Sequence, residues 1–369
     1  MSKTPPRRAA VIMAGGAGER FWPLSRAHYP KQLLKIAGNH SMLSESVRRI
    51  GPLVSPEDIY VITSKALKPA IEAEAGGIPA ENVIAEPEGR NTAACLALAA
   101  AVLDHRYPGE DPTMIVLTAD HFIRDTETFV LDCVVAAEYA ETHSALVTFG
   151  MKPDRPETGY GYVEAAAGTE ANPKVRPVAS FREKPNLETA RQFLESGNFY
   201  WNSGMFVWRN SALKRAFAEC LPECHAQIEP MSHAFSAADS AVALAGPFGK
   251  MPKISIDYGV LEKAHNVAVV LAAFDWEDVG TWTALQRILE PDGRGNVAFG
   301  NAATVNSDNV TVYSVGGDEG KPRLVVGFNV KDLVIVSTPD AILVMPSDSC
   351  QEVRDVVKRL REEGRTEYL

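Results

Sequence analysis

No long apolar run exists in this chain. The strongly apolar run at 95–103 spans nine of 369 residues and is closed by Asp104, His105 and Arg106, whereas a membrane helix needs roughly 20 apolar residues. Cysteine is sparse. Cys95, Cys133, Cys220, Cys224 and Cys350 are too few and too scattered to form a disulfide framework, which suits a reducing compartment. The group Cys220, Cys224 and His225 has the spacing of no complete zinc site and no second Cys/His pair beside it. Histidine is absent from 291–369. The basic start (Lys3, Arg7, Arg8) reads as a solvated tail that leads directly into a strand-like segment. Neither a secretory leader nor a membrane partner is expected, and the expected setting is the cytoplasm.

Net positive charge is also lacking. Lys and Arg total 37 against 47 for Asp and Glu, a net charge of −10. That balance argues against general nucleic-acid binding, which wants a basic face. Residues 1–35 run the other way, with seven cations and a single acid, Glu19. A local positive field in an acidic protein points to a small anionic ligand. With Lys3, Arg7 and Arg8 assigned to the tail, Arg20, Arg26, Lys31 and Lys35 remain to be explained. A content of 46% hydrophobic and 23% charged residues is that of a globular chain of about two domains.

The first two-thirds alternate apolar strand runs with helical patterns. Strands are expected at 9–13, 60–63, 114–118 and 145–149, and helices at 92–106 and 129–142. The alternation predicts an α/β fold with a mainly parallel, helix-covered central sheet, whose ligand lies beyond the carboxyl ends of the strands. The pattern changes at the turn-rich stretch 291–296. Short β pieces follow, then a helix with Val353, Val356, Val357 and Leu360 at one-face spacing. The expected division is therefore 1–290 and a small C-terminal β domain, 291–369, ending in a helix. Its Gly/Asn spacing hints at stacked β-helix turns, although the hexapeptide period is irregular.

The most informative segment is Ala14, Gly15, Gly16, Ala17, Gly18, Glu19 and Arg20, followed by Pro30 and Lys31. The dinucleotide pattern G-x-G-x-x-G fails, because Phe21 stands where its third glycine belongs. The phosphate-loop pattern fails for want of Gly-Lys-Ser/Thr. What remains is a glycine loop after a strand with Arg and Lys close behind. Its backbone N–H groups would cradle phosphate, Arg20 would grip it bidentately and Lys31 would add a point charge. The plainer alternative is a tight turn with two surface cations.

The pattern A-G-G-x-G-x-R-x-x-P-L-S-x-x-x-x-P-K, at 14–31, resembles the signature of the sugar-1-phosphate nucleotidyltransferases, and its Trp-Pro-Leu-Ser-Arg form resembles the mannose-1-phosphate guanylyltransferase branch. Further pieces of that branch follow in order. They are Glu-Pro-Glu-Gly-Arg-Asn-Thr-Ala at 86–93, Thr-Ala-Asp-His at 118–121, Thr-Gly-Tyr-Gly-Tyr at 158–162, Phe-Arg-Glu-Lys-Pro at 181–185, Trp-Asn-Ser-Gly-Met-Phe at 201–206, Ser-Ile-Asp-Tyr-Gly-Val-Leu-Glu-Lys at 255–263 and Trp-Glu-Asp-Val-Gly-Thr-Trp at 276–282. The resemblance covers about residues 9–290 closely and the tail loosely. It implies a Rossmann-like nucleotidyltransferase domain with a β-helix-like tail, and GTP and mannose 1-phosphate as substrates.

Site residues follow from the same resemblance. Asp120 and Asp278 would hold Mg²⁺ (or Mn²⁺) against the nucleotide α-phosphate, with Asp275 and Glu277 as neighbours easily mistaken for the ligand. Arg20 and Lys31 would stabilise the pyrophosphate side. Ala14, Gly15, Gly16, Gly18 and Glu19 would bind the nucleotide. Arg90, Asn91 and Thr92, at a helix start, would lie near its base and ribose, although plain helix capping explains Asn91 and Thr92 as well. Lys184 would orient the sugar phosphate, with Glu183, Gly161, Asn202 and Asp257 lining the sugar pocket and Tyr258 beside it. His121 is expected to be positional. Longer relatives carry an isomerase domain for which this tail is too short, so no isomerase activity is expected. A homodimer is expected. Two alternatives stay open: another sugar 1-phosphate, such as a heptose 1-phosphate, or a non-catalytic sugar-nucleotide-binding subunit.

Overall fold

The computed structural model describes residues 6–16, 18–36, 38–168, 173–316 and 323–369; Lys3 and Ala17 lie outside them. The chain divides into two compact units. One comprises 1–15, 46–119 and 123–275, the other 16–45, 120–122 and 276–369.

The first unit is built on nine strands: β1 (Arg8–Met13), β2 (Ile59–Ser64), β3 (Val83–Glu86), β4 (Thr113–Thr118), β5 (Leu146–Met151), β6 (Tyr162–Ala165), β7 (Val175–Arg182), β8 (Phe199–Arg209) and β9 (Val267–Leu271). Their order in the sheet is β3-β2-β1-β4-β8-β5-β9-β7-β6. The expected parallel character holds for β3-β2-β1-β4 and for β5-β9. β8 enters antiparallel between β4 and β5, and β6 and β7 add further antiparallel pairings. The parallel strands are continuous apolar runs because both their faces are covered. The apolar stretch at 95–103 lies within the helix Asn91–Arg106, every residue of which from Ala93 to Leu103 is buried. Its hydrophobicity is that of a core helix. Among the described residues no helix is long and apolar enough to cross a membrane.

Arg7 and Arg8 do not form a solvated tail. Arg8 opens β1 opposite Thr113, and its guanidinium pairs with Glu141 at 2.9 Å. Arg7 pairs with Asp58 and Glu110, both at 3.2 Å. The sheet begins one residue earlier than the apolar run suggests, so both arginines are committed to it.

The second unit contains β10 (Val297–Gly300), β11 (Ala302–Val305), β12 (Thr311–Ser314), β13 (Val325–Phe328), β14 (Leu333–Ser337) and β15 (Ile342–Pro346). β10, β12 and β14 pair in parallel, with β15 antiparallel at the edge, and β11 pairs in parallel with β13. Ala302 lies opposite Val325 and Thr311 opposite Val334, a separation of 23 residues in both cases. The corners keep that separation: Asn306 and Asn329, and Asn309 and Asp332, all have φ between 51° and 53°. Asn and Asp tolerate this left-handed conformation better than other side chains. The stacked turns are thus a β-helix with a coil of 23 residues here, not a hexapeptide repeat. The helix Val353–Glu362 buries Val353, Val357 and Leu360 in a core shared with Phe21, Trp22 and Trp282, while Val356 stays exposed.

Candidate active site

A cavity of about 340 Å³ opens in the second unit. Its walls carry Gly18, Arg20, Lys31, Asp120 and Asp278, five of the residues singled out from the sequence. Lys31 organises it. Only 6% of this residue is exposed, and a buried ammonium has to be paired. Its Nζ donates to Asp120 Oδ2 at 2.9 Å and to the Asp278 carbonyl at 2.8 Å. Gly18 makes room for it. Gly18 has φ +62°, and a Cβ there would sit 2.5 Å from Lys31 Cβ. Ser25 Oγ donates to the Gly18 carbonyl at 2.7 Å and fixes the turn.

Burial alone would raise the Asp120 pKa. The Lys31 ammonium and His121 outweigh it and hold the carboxyl below its ordinary value. Asp278 Oδ1 accepts the Gly280 N–H at 2.9 Å. Arg20 Nη1 reaches the Gly280 carbonyl at 3.4 Å. Burial and the charge of Arg354 lower the Arg20 pKa, with Asp278 opposing them. The guanidinium stays charged all the same. His121 also lines the cavity, and the Trp276 indole N–H donates to its Nδ1 at 3.0 Å. Glu19 lines the cavity too, its carboxylate accepting from Arg361 at 3.0 Å.

The two neighbouring acids are engaged elsewhere. Asp275 accepts the N–H groups of Arg124 and Asp125 at 3.0 and 2.9 Å. Glu277 holds Arg287 in a bidentate pair at 2.6 and 2.8 Å. Asp278 is therefore the acid of its segment that lines the cavity. Asp120 and Asp278 place two carboxylates in one cavity, with the Lys31 ammonium joining the Asp120 carboxylate to the Asp278 main-chain carbonyl. That donor set fits Mg²⁺ or Mn²⁺, which completes its shell with phosphate oxygens and water.

The residues expected to line a sugar pocket cluster in the first unit. Asn202 Nδ2 donates to Asp257 Oδ1 at 3.1 Å, while Thr148 Oγ1 donates to Asn202 Oδ1 at 2.7 Å. Asn202 N–H donates to the Gly161 carbonyl at 2.8 Å. A Cβ on Gly161 would lie 2.5 Å from Glu183 Oε2. Glu183 pairs with Lys184 at 2.9 Å, and Lys184 is 60% exposed where Glu183 is 10%. Burial, reinforced by the Glu183 charge, pushes Asp257 up to about 6. Tyr258 is exposed beside this group. The cluster offers carboxylates, an amide and one available cation, a set suited to hydroxyl groups and one phosphate.

Also in the first unit, Ala14 is buried and extends the sheet, its N–H donating to Ile62 O at 2.8 Å and its carbonyl accepting Thr63 Oγ1 at 2.9 Å. Gly15 follows as exposed backbone, and Gly16, the first residue of the second unit, is exposed too. Arg90 holds Glu88 at 2.8 Å and the Met251 carbonyl. Asn91 Oδ1 accepts the Thr92 N–H at 2.8 Å, and Thr92 Oγ1 accepts the Ile256 N–H at 2.8 Å. These three residues thus have structural partners. Glu86, at the end of β3, is pushed up to about 7 by burial.

Backbone strain gathers at the same segments. Outside the β-helix corners and the helix-terminating Ser144, the described non-glycine residues with positive φ are Asn91, Lys184 and Val279. Each lies in a segment singled out from the sequence. Val279 is the costliest, being β-branched with φ 51° and wholly buried. Such strain costs on the order of 1–3 kcal/mol and persists only where the surroundings impose it. Here the surroundings are Phe21 and Trp282, and the result is the turn that presents Asp278. Sequence reading missed Arg354, which lines the cavity from the C-terminal helix. No local motif marks it.

Two outcomes follow from this geometry. Gly18→Ala should push Lys31 off Asp120 and weaken binding of inorganic tripolyphosphate by at least about tenfold, read by calorimetry with the circular dichroism spectrum unchanged. Unaltered affinity refutes the packing argument. Asp257→Asn should raise thermal stability in a pH-dependent way. The raised carboxyl pKa means that the folded state loses stability as pH rises from about 4 to about 6, and that this loss is constant above. The melting-temperature advantage of the variant should therefore grow across that interval and then level off; a pH-independent difference contradicts it.

Comparison with known proteins completes the picture. Residues 9–293 match the nucleotidyl transferase family, and residues 300–360 match the MannoseP isomerase/GMP-like β-helix domain. The chain is 41% identical over 364 residues to a mannose-1-phosphate guanylyltransferase of Escherichia coli, covering 97% of this chain and 75% of that protein. It is 39% identical over 362 residues to the xanthan biosynthesis protein XanB of Xanthomonas campestris, covering 97% and 74%. A crystal structure from Thermus thermophilus, named a mannose-1-phosphate geranyltransferase, superposes with a TM-score of 0.84 at 35% identity, covering 96% of this chain and 99% of that one. The chain belongs to the nucleotidyl transferase family and, within it, groups with the mannose-1-phosphate guanylyltransferases.

Proposed function

We propose that this protein transfers GMP from GTP to mannose 1-phosphate, giving GDP-mannose and pyrophosphate. The observation that carries the reading is the cavity in which Lys31 and Arg20 meet the carboxylates of Asp120 and Asp278. The relatives' shared activity supplies the substrates. The nucleophile is a sugar-phosphate oxygen that is already an anion, so no general base is required. That oxygen forms a bond to the α-phosphorus as the bond to the bridging oxygen of the β-phosphate breaks, and pyrophosphate departs with its charge. Catalysis is then positioning and charge neutralisation.

The residues divide these tasks. The glycine loop supplies N–H donors to the triphosphate. Arg20 and Lys31 balance its charge, and the Lys31 ammonium holds the Asp120 carboxyl below its ordinary value. Lys184 binds the phosphate of the sugar, while Glu183, Asn202 and Asp257 accept and donate hydrogen bonds to its hydroxyls. Arg90, Asn91 and Thr92 border the nucleotide's base and ribose. Asp120 and Asp278 would hold Mg²⁺, which supplies Lewis-acid stabilisation of the α-phosphate and the leaving group. On this reading 1–290 is the catalytic part and 291–369 an accessory β domain. The protein acts in the cytoplasm as a homodimer, and a light-scattering mass of one chain at micromolar concentration would overturn the dimer.

Asp278→Asn should retain the fold and lose turnover by about a hundredfold or more, in line with removal of a charge from a phosphoryl-transfer site. The assay is pyrophosphate release with Mg²⁺, crossing GTP, ATP, UTP and dTTP with mannose 1-phosphate, glucose 1-phosphate and a heptose 1-phosphate. Turnover confined to GTP with mannose 1-phosphate is expected. Wild-type silence across the grid refutes the function, and near-wild-type rates in the variant refute the role of Asp278.

A further inference from the structure

The C-terminal helix contributes a charge to the cavity that the family motifs do not account for. Arg354 stands in the first turn of the helix Val353–Glu362 and lines the same cavity as Arg20, Lys31, Asp120 and Asp278. The helix is held there from both ends of its inner face: Val353, Val357 and Leu360 are buried with Phe21 and Trp22, and Arg361 pairs with Glu19 at 3.0 Å. Arg354 is thus carried by a packed element, although its own side chain is exposed.

The charges around it are unevenly matched. Asp120 has Lys31 at 2.9 Å, Glu19 has Arg361, and Asp278 faces Arg20 electrostatically. Among the described residues Arg354 makes no ion pair or hydrogen bond. It stands near enough to Arg20 for their like charges to disfavour one another. Two guanidiniums brought together beside a buried ammonium are unfavourable in the free protein and become favourable once a polyanion lies among them.

We propose that Arg354 binds the β- and γ-phosphates of the nucleotide, and hence the departing pyrophosphate, opposite Arg20. The assignment of the anion to the β,γ side rests on the function proposed above, which places Arg20 there; the recruitment of a polyphosphate by Arg354 rests on the cavity alone. The C-terminal helix is thereby part of the substrate site and more than a packing element of the β domain.

The test separates the two levels. Calorimetry with Mg²⁺ and either inorganic pyrophosphate or tripolyphosphate should give a dissociation constant about tenfold or more weaker for Arg354→Gln than for the wild-type chain. Arg354→Lys should fall between them, because a lysine keeps the charge and loses the bidentate fork. Arg359→Gln, which removes a cation of the same helix that pairs with Glu363 at 2.6 Å, should match wild type. In steady-state assays Arg354→Gln should raise the KM for GTP and, in the reverse direction, for pyrophosphate by a similar factor. Its affinity for GDP-mannose, which lacks the leaving group, should not change. Equal polyphosphate affinity for Arg354→Gln and wild type, an equal loss in Arg359→Gln, or no polyphosphate binding by wild type each overturns the proposal. Arg354-dependent polyphosphate binding by a chain that makes no nucleotide sugar would instead sustain it and refute the function.

Discussion

The buried ammonium of Lys31 is the constraint on which the cavity depends. A cation with 6% exposure is tolerable only with partners, and its two partners come from distant parts of the chain: a carboxylate at Asp120 and a main-chain oxygen at Asp278. Satisfying that one charge fixes the glycine loop, the segment after β4 and the turn after β9 relative to one another. It also sets the glycine at position 18, because the loop presses against the lysine stem. A single pairing requirement therefore explains the loop, the low pKa of Asp120 and the position of the second carboxylate.

The same turn shows how packing sustains a conformation that local energetics disfavour. Val279 would not adopt a left-handed backbone in isolation. It does so while wholly buried, in a core that holds Phe21, Trp282 and, from the β-helix, Tyr313. The Phe21 and Trp282 rings pack tilted at 4.9 Å, and Trp282 meets Tyr313 at 5.5 Å. In the second unit the β-helix and its helix thus belong to the core that shapes the cavity. Arg26 shows the same integration, donating to Asp340 at 2.8 Å and to the Tyr368 carbonyl.

The positive N-terminal stretch therefore serves two purposes that its composition does not separate. Arg7, Arg8 and Arg26 are spent on ion pairs that hold strands and chain ends. Arg20 and Lys31 face the cavity, and Lys35 is exposed. Charge counting located the region and could not apportion it, since the fate of an arginine depends on which acids the fold brings opposite. The β-helix was half legible for a similar reason. Val-Asn-Ser-Asp-Asn-Val-Thr-Val-Tyr-Ser at 305–314 and Phe-Asn-Val-Lys-Asp-Leu-Val-Ile-Val-Ser at 328–337 repeat at 23 residues, a period longer than the hexapeptide rule looks for. β8 escaped notice because it is buried on both faces, without alternation, and its apolar run is broken by Asn202, Ser203 and Gly204.

By itself the sequence determined the alternating α/β core, the turn-rich change of architecture near 291 and the short segments where glycine, lysine and carboxylate chemistry concentrate. These are local properties: apolar runs, turn residues and motifs whose meaning lies within a few positions. Tertiary structure alone decided which arginines are structural and that Arg354 of the last helix lines the cavity. Those outcomes depend on pairing between residues tens to hundreds of positions apart. The energy of a buried charge is set by the partner that arrives through space, and no local pattern in the chain records which partner that will be.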